Sequence, residues 1–148
     1  MKHKNLNPYI GKWFMAFLFL TPASSSFADY GAPIQYKAVD IVRPANNSSV
    51  TNPVKVCMEP FGVWVEPAKN GINENKGHHH LLIDVDLPSD LSKPIEKDEN
   101  HIHMEDGSAC KDLTLSPGKH TITTLFAQGN HVPYNPPLSA TITVHVKK

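Results

Sequence analysis

Short apolar runs, separated by proline and glycine, constrain the fold of this chain more than any other feature. Thirteen prolines and eight glycines fall among 148 residues. The clearest run is 139–146, where Ala140, Ile142, Val144 and Val146 alternate with polar residues and would share one face of a strand. About seven such runs with turn signals between them predict an all-β fold, an immunoglobulin-like antiparallel β-sandwich.

The other predicted strands follow the same logic. A polar turn is expected at 44–49, and a long loop rich in proline and charge at 87–100. The segment Ser116-Pro117-Gly118 has the composition of a tight turn and predicts a hairpin between residues 113–115 and 119–127. The remaining predicted strands are 39–43, 54–58, 61–66 and 79–86.

The first 28 residues have the pattern of a secretory signal peptide. Three lysines precede an apolar run at 13–20, and Ser26-Phe27-Ala28 has the small-x-small pattern of a cleavage site. Eight apolar residues are too few to span a bilayer, which needs about 20; the alternative is an uncleaved anchor. We therefore expect a periplasmic or secreted protein with one domain at 29–148 and no membrane span in the mature chain.

The net charge of the mature chain limits the kinds of partner that we expect. Removal of residues 1–28 takes away three of the 14 basic residues and none of the 14 acidic ones, which leaves a formal charge of −3. No basic run interleaved with aromatic residues remains, so a nucleic-acid partner is not expected.

Both cysteines, Cys57 and Cys110, lie beyond the predicted cleavage site. An even number of cysteines in an exported protein favours a disulfide. The alternative is a thiolate ligand or redox centre, but no Cys-x-x-Cys spacing supports it.

Histidines provide the strongest functional signal. His78 and His80 would share one face of a strand, and His101 and His103 repeat that spacing. His131 lies in a segment rich in proline. Imidazole is the commonest protein ligand for zinc and copper, so these five residues are candidate ligands for either metal.

Two further expectations concern the same histidines. Asp84 lies an even number of residues after His78 and His80, so it would share their face of the strand. It is a candidate to orient a metal-binding imidazole through a hydrogen bond to the ring nitrogen that does not bind the metal. The alternative is architectural: buried histidines brace the fold through hydrogen bonds, and the domain serves as a structural or envelope-interaction module with an unidentified envelope protein as its partner.

Several motifs resemble a family of exported bacterial domains of unknown function. They are Val-Glu-Pro-Ala at 65–68, Gly-His-His-His-Leu-Leu-Ile-Asp at 77–84, His-Ile-His at 101–103, Leu-Ser-Pro-Gly-Lys-His-Thr at 115–121 and Asn-His-Val-Pro at 130–133. The chain departs from the family pattern at 104–110 and at Gln128-Gly129, where relatives carry an acidic residue. The resemblance implies a fold more than an activity, so we expect a non-enzymatic protein.

A shorter resemblance points to an enzyme. The segment from His101 to Cys110 is similar to the copper segment of copper–zinc superoxide dismutases, which also pair a His-x-His strand with a disulfide cysteine. It covers about ten residues, and the spaced histidines of a zinc loop do not follow. Dismutase-like activity is therefore the least favoured expectation.

Overall fold

The computed structural model describes residues 36–148. The predicted signal peptide lies outside the described residues and stays a prediction. Within them, a short 3₁₀ helix, Ala68–Asn70, separates β4 from β5. The strands are β1 (Ala38–Arg43), β2 (Ser48–Val50), β3 (Val54–Phe61), β4 (Trp64–Val65), β5 (Lys76–Ile83), β6 (His101–His103), β7 (Cys110–Leu113), β8 (Gly118–Ala127) and β9 (Ser139–Val146).

Two sheets form the sandwich. The smaller has the order β1-β3-β7, and the larger has the order β2-β9-β8-β5-β4, with β6 also paired to β5. The predicted all-β sandwich is confirmed, although residues 36–148 contain nine strands where about seven were expected. Two short pairings at the ends of the larger sheet, β2 with β9 and β4 with β5, are parallel.

The interior between the sheets follows the alternation of the strands. Leu81 and Ile83 of β5 belong to the central apolar cluster, together with Val56 of β3 and Ile122 of β8. On β9, Ile142 and the two alternate valines that follow it are buried, whereas Thr143 is half-buried and His145 is exposed. The alternation of β9 therefore predicted its buried face correctly.

The predicted hairpin between residues 113–115 and 119–127 is wrong. Strand β7 pairs with β3 in the smaller sheet, and β8 pairs with β5 and β9 in the larger one. The segment between them therefore crosses from one sheet to the other. The Cys57–Cys110 disulfide, which is present as predicted, joins two residues that face each other across β3 and β7.

A loop covers part of the outer face of the larger sheet. Ile95 of the 84–100 segment contacts Leu82, Leu125 and Ala127 there, in a small apolar cluster separate from the central core. The same segment forms hydrogen bonds with His103 and His131. The described residues contain no helix with the length and apolar character needed to cross a bilayer.

Candidate metal centre

Strand β5 carries two histidines on the covered outer face. His78 and His80 are both 0% exposed, and they pair across the sheet with Ala127 and Leu125 of β8. Directly opposed residues on antiparallel strands project to the same side. The two imidazoles therefore lie beside the apolar cluster that Ile95 covers.

The register of β6 against β5 places His103, and not His101, beside the β5 histidines. His103 lies opposite His80, whereas His101 lies opposite Leu82. The ring centroids of His80 and His103 are 4.3 Å apart. One of the two β6 histidines thus joins the β5 pair, and the other lies one register step farther along the strand.

A tight loop after β8 brings in His131. Its Nδ1 lies 3.1 Å from Nε2 of His78 and 3.3 Å from Nε2 of His80. The backbone at His131 is left-handed, with φ of 66°, a conformation in which histidine is enriched among the side chains other than glycine. This conformation directs the ring back over β5.

Backbone contacts hold that loop in place. The N–H of His131 donates to the carbonyl oxygen of Gln128, and the N–H of Ile95 donates to the carbonyl oxygen of His131. A Cβ at Gly129 would collide with the carbonyl oxygen of Gly71. The position of His131 therefore depends on a close backbone approach that only glycine allows at residue 129.

A hydrogen bond to a backbone carbonyl oxygen orients the ring of His103. Its Nε2–H donates to the carbonyl oxygen of Glu96 at 2.7 Å, which leaves Nδ1 as the lone-pair nitrogen. That Nδ1 is 3.8 Å from Oε1 of Glu105, and the same oxygen accepts from Nζ of Lys97 at 2.8 Å. A carbonyl behind an imidazole is a common support for a metal-binding histidine.

The side chains form two overlapping groups that could hold a metal ion. We call His78, His80 and His131 the inner group, and His103, Glu105 and His131 the outer group; the ligand atoms within each lie within 4.8 Å of one another. In a tetrahedral zinc site, ligand nitrogens are about 3.3 Å apart. The 3.1 and 3.3 Å separations in the inner group match that spacing, and they are also hydrogen-bond distances between imidazoles.

The inner histidines are neutral near pH 7. Burial, followed by the charges of neighbouring histidines, lowers the pKa of His78 to about 4 and that of His80 to about 2. Burial and the charge of His103 also lower the pKa of His131. Neutral imidazoles offer lone pairs to a metal without first losing a proton.

Hydrogen bonding within the cluster is incomplete. Among the described residues, the Nδ1 atoms of His78, His80 and His103 are buried and have no hydrogen-bond partner. A buried polar atom left unpaired costs about 1–3 kcal/mol. Bracing the sheet with this cluster therefore costs free energy of folding.

His101 lies in a different environment. Its Nδ1 is 2.8 Å from Oδ1 of Asp98, which also accepts from the backbone N–H groups of Asn100 and His101. These bonds give Asp98 a role in shaping the turn before β6. His101, which is half-buried, does not join the four clustered histidines. It forms a separate third group with the exposed Asp98 and Glu96, whose ligand atoms also lie within 4.8 Å of one another.

Asp84 also faces away from the cluster. Its Oδ2 is 2.6 Å from Nδ1 of His120, and its Oδ1 accepts from the N–H of Thr121 at 2.7 Å. Nε2 of His120 donates to the carbonyl oxygen of Ser116 at 2.9 Å. Partial burial opposes protonation, but the hydrogen bonds to Asp84 and Ser116 outweigh it and raise the pKa of His120.

The third histidine of the triplet occupies the opposite face of β5. His79 is 0% exposed, contacts Phe126 edge-on at 5.0 Å between ring centroids and lies 3.2 Å from Oγ1 of Thr124. The thioether side chains of Met58 and Met104 are buried in the central core. Both methionines therefore lie in the interior between the sheets, on the opposite side of β5 from the cluster.

Glu105 is a clustered residue that was not predicted from the sequence. It continues the two-residue spacing of His101 and His103, and that periodicity was the available signal. Strand β6 ends at His103, so the spacing alone does not show that Glu105 returns to the same side.

Comparisons with known proteins add a family but no activity. One solved structure with some similarity is the X-ray structure of the endo-beta-1,4-mannanase from Thermotoga petrophila, with 12% sequence identity and a TM-score of 0.41. The alignment covers 78% of this chain but only 20% of the mannanase chain. A comparison with curated proteins finds no match. The matching family, over residues 56–147, is the Domain of unknown function (DUF4399), and this chain belongs to it.

Proposed function

We propose that this domain binds one divalent transition-metal ion, Zn²⁺ or Cu²⁺, through His78, His80 and His131. The observation that carries the proposal is the approach of two Nε2 atoms to a single Nδ1 at 3.1 and 3.3 Å. Three imidazoles with one open position form a common zinc site. They also suit Cu²⁺.

The donor set favours a divalent ion over Cu⁺. Soft thioether ligands select Cu⁺, but Met58 and Met104 are buried in the central core and do not reach the cluster. Neutral imidazoles with one nearby carboxylate, Glu105, are donors for Zn²⁺ and Cu²⁺.

The surroundings of the site support metal binding or handling rather than catalysis. His78 and His80 are fully buried, and Ile95 covers the adjoining apolar surface. An ion held there would be shielded from large substrates. The disulfide supports an oxidising compartment, so we propose that the protein acts in the periplasm or after secretion.

His131→Ala is the sharpest test because His131 lies on a loop and is only half-buried. We expect the untagged wild-type chain to bind one Zn²⁺ or Cu²⁺, and the variant to lose that binding while remaining folded. The matched control is His145→Ala, which removes an exposed histidine from β9 and should bind normally.

Normal binding by His131→Ala would exclude the proposed site. If His131→Ala and His80→Ala both unfold and the wild-type protein binds no metal, the architectural interpretation is correct instead. Circular dichroism on the same samples separates loss of binding from loss of fold.

A further inference from the structure

The inner and outer groups differ in their access to solvent. The inner ligands His78 and His80 are 0% exposed, whereas the Glu105 side chain of the outer group is 47% exposed. His131 belongs to both groups and is half-buried. An ion that comes from solvent therefore meets the outer group first.

The charges follow the same gradient. The inner group consists of three imidazoles and carries no carboxylate, whereas Glu105 is the acidic member of the outer group. A carboxylate attracts a hydrated divalent ion and raises its local concentration. The acidic member of the cluster thus lies on the solvent side, where it can attract an incoming ion.

Lys97 occupies the carboxylate oxygen that an arriving ion would use. Its Nζ lies 2.8 Å from Oε1 of Glu105, and this is the oxygen nearest to Nδ1 of His103, at 3.8 Å. Both partners of the ion pair are largely exposed, so the pair contributes little to stability. The Lys97 ammonium can therefore be displaced at small cost.

We propose that Glu105 is a capture ligand that passes the metal ion to the buried histidines, with Lys97 as its competitor. This inference rests on the proposed function. The ion exchanges water for Glu105, His103 and His131 as the Lys97 ammonium moves back to solvent. It then exchanges Glu105 and His103 for His78 and His80 while His131 stays a shared ligand.

Stopped-flow mixing of the untagged metal-free chain with Zn²⁺, in competition with a fluorescent zinc indicator, tests this route. We expect Glu105→Gln to slow association about tenfold or more, with the stoichiometry still at one ion per chain. Lys97→Met should speed association. The double variant should match Glu105→Gln alone, because Lys97 acts through Glu105.

Glu59→Gln is the matched control, since Glu59 is an exposed carboxylate on β3 and should leave the rate unchanged. An unchanged association rate in Glu105→Gln would overturn the capture role while leaving the proposed site intact. A second ion bound with Glu105 as its permanent ligand would also overturn it. A wild-type chain that binds no Zn²⁺ would overturn the proposed function itself.

Discussion

His103 donates its Nε2–H to the carbonyl oxygen of Glu96 at 2.7 Å. This hydrogen bond ties the loop over the larger sheet to the short strand β6, and it selects the ring tautomer with a lone pair on Nδ1. The loop that covers the histidines therefore also sets the chemistry of one of them.

His103→Ala should weaken zinc binding about tenfold without abolishing it. The inner group would remain complete, but the ring that packs against His80 would be gone. Loss of a residue that supports a ligand typically costs 10- to 100-fold in affinity. Competition titration with a zinc chelator measures the change. Complete loss of binding would show that His103 is a ligand in the final site.

His79→Ala should destabilise the fold and spare the metal. His79 is fully buried against Phe126 on the interior face of β5, and truncation of a large buried side chain costs about 3 kcal/mol. Urea unfolding followed by tryptophan fluorescence gives the loss, and zinc titration of the folded variant should still give one ion. Normal stability together with lost binding would place His79 in the site instead.

Gly129→Ala should damage the site without removing a ligand. The added Cβ would collide with the carbonyl oxygen of Gly71 and shift the loop that carries His131. We expect zinc affinity to fall about tenfold or more, as for other residues that hold a ligand in place. Gly118→Ala serves as a control because its Cβ would meet no neighbouring atom within 4 Å. Any strain from its φ of 137° falls at the start of β8, whereas His131 follows the end of that strand. Equal affinity in the two variants would contradict this account of the loop.

The Asp84–His120 pair should stabilise the fold in a defined pH window. The pKa of His120 is raised from 6.5, so its contribution is complete below pH 6.5 and is lost as the pH rises through the raised pKa. Burial opposes ionisation of Asp84, but hydrogen bonds from His120 and Thr121 lower its pKa from 3.8. Its contribution is complete above pH 3.8 and is lost as the pH falls through that lowered pKa.

The difference in unfolding free energy between wild type and His120→Ala should therefore be largest between pH 3.8 and 6.5. Asp84 is 42% exposed, so solvent screening limits the effect to about 1 kcal/mol. Urea unfolding at several pH values measures it, and His145→Ala controls for an exposed histidine. A difference that grows above pH 8 would contradict the assigned sign.

The sequence predicted the parts of the structure that depend on local periodicity. The alternation of β9 and the shared face of His78 and His80 both follow from a two-residue repeat. The polar segment 87–100 remains outside strands, as expected. Strand β2 was missed because three residues within a polar turn carry too little pattern.

Pairing between distant segments could not be predicted in the same way. His101 and His103 are equivalent in sequence, and only the register of β6 against β5 decides which of them lies opposite His80. Asp84 shares the parity of His80, but its positive φ ends the strand and turns the carboxylate toward His120. These outcomes depend on tertiary contacts that no local pattern encodes.

The most direct test of the account is calorimetric titration of the untagged, metal-free chain with Zn²⁺ and, separately, with Cu²⁺. We expect one ion per chain with a Kd below about 1 µM, together with a rise in thermal stability that follows ion concentration. Weak or non-stoichiometric binding of both ions, with no change in thermal stability, would contradict it and leave the histidine cluster with an architectural role.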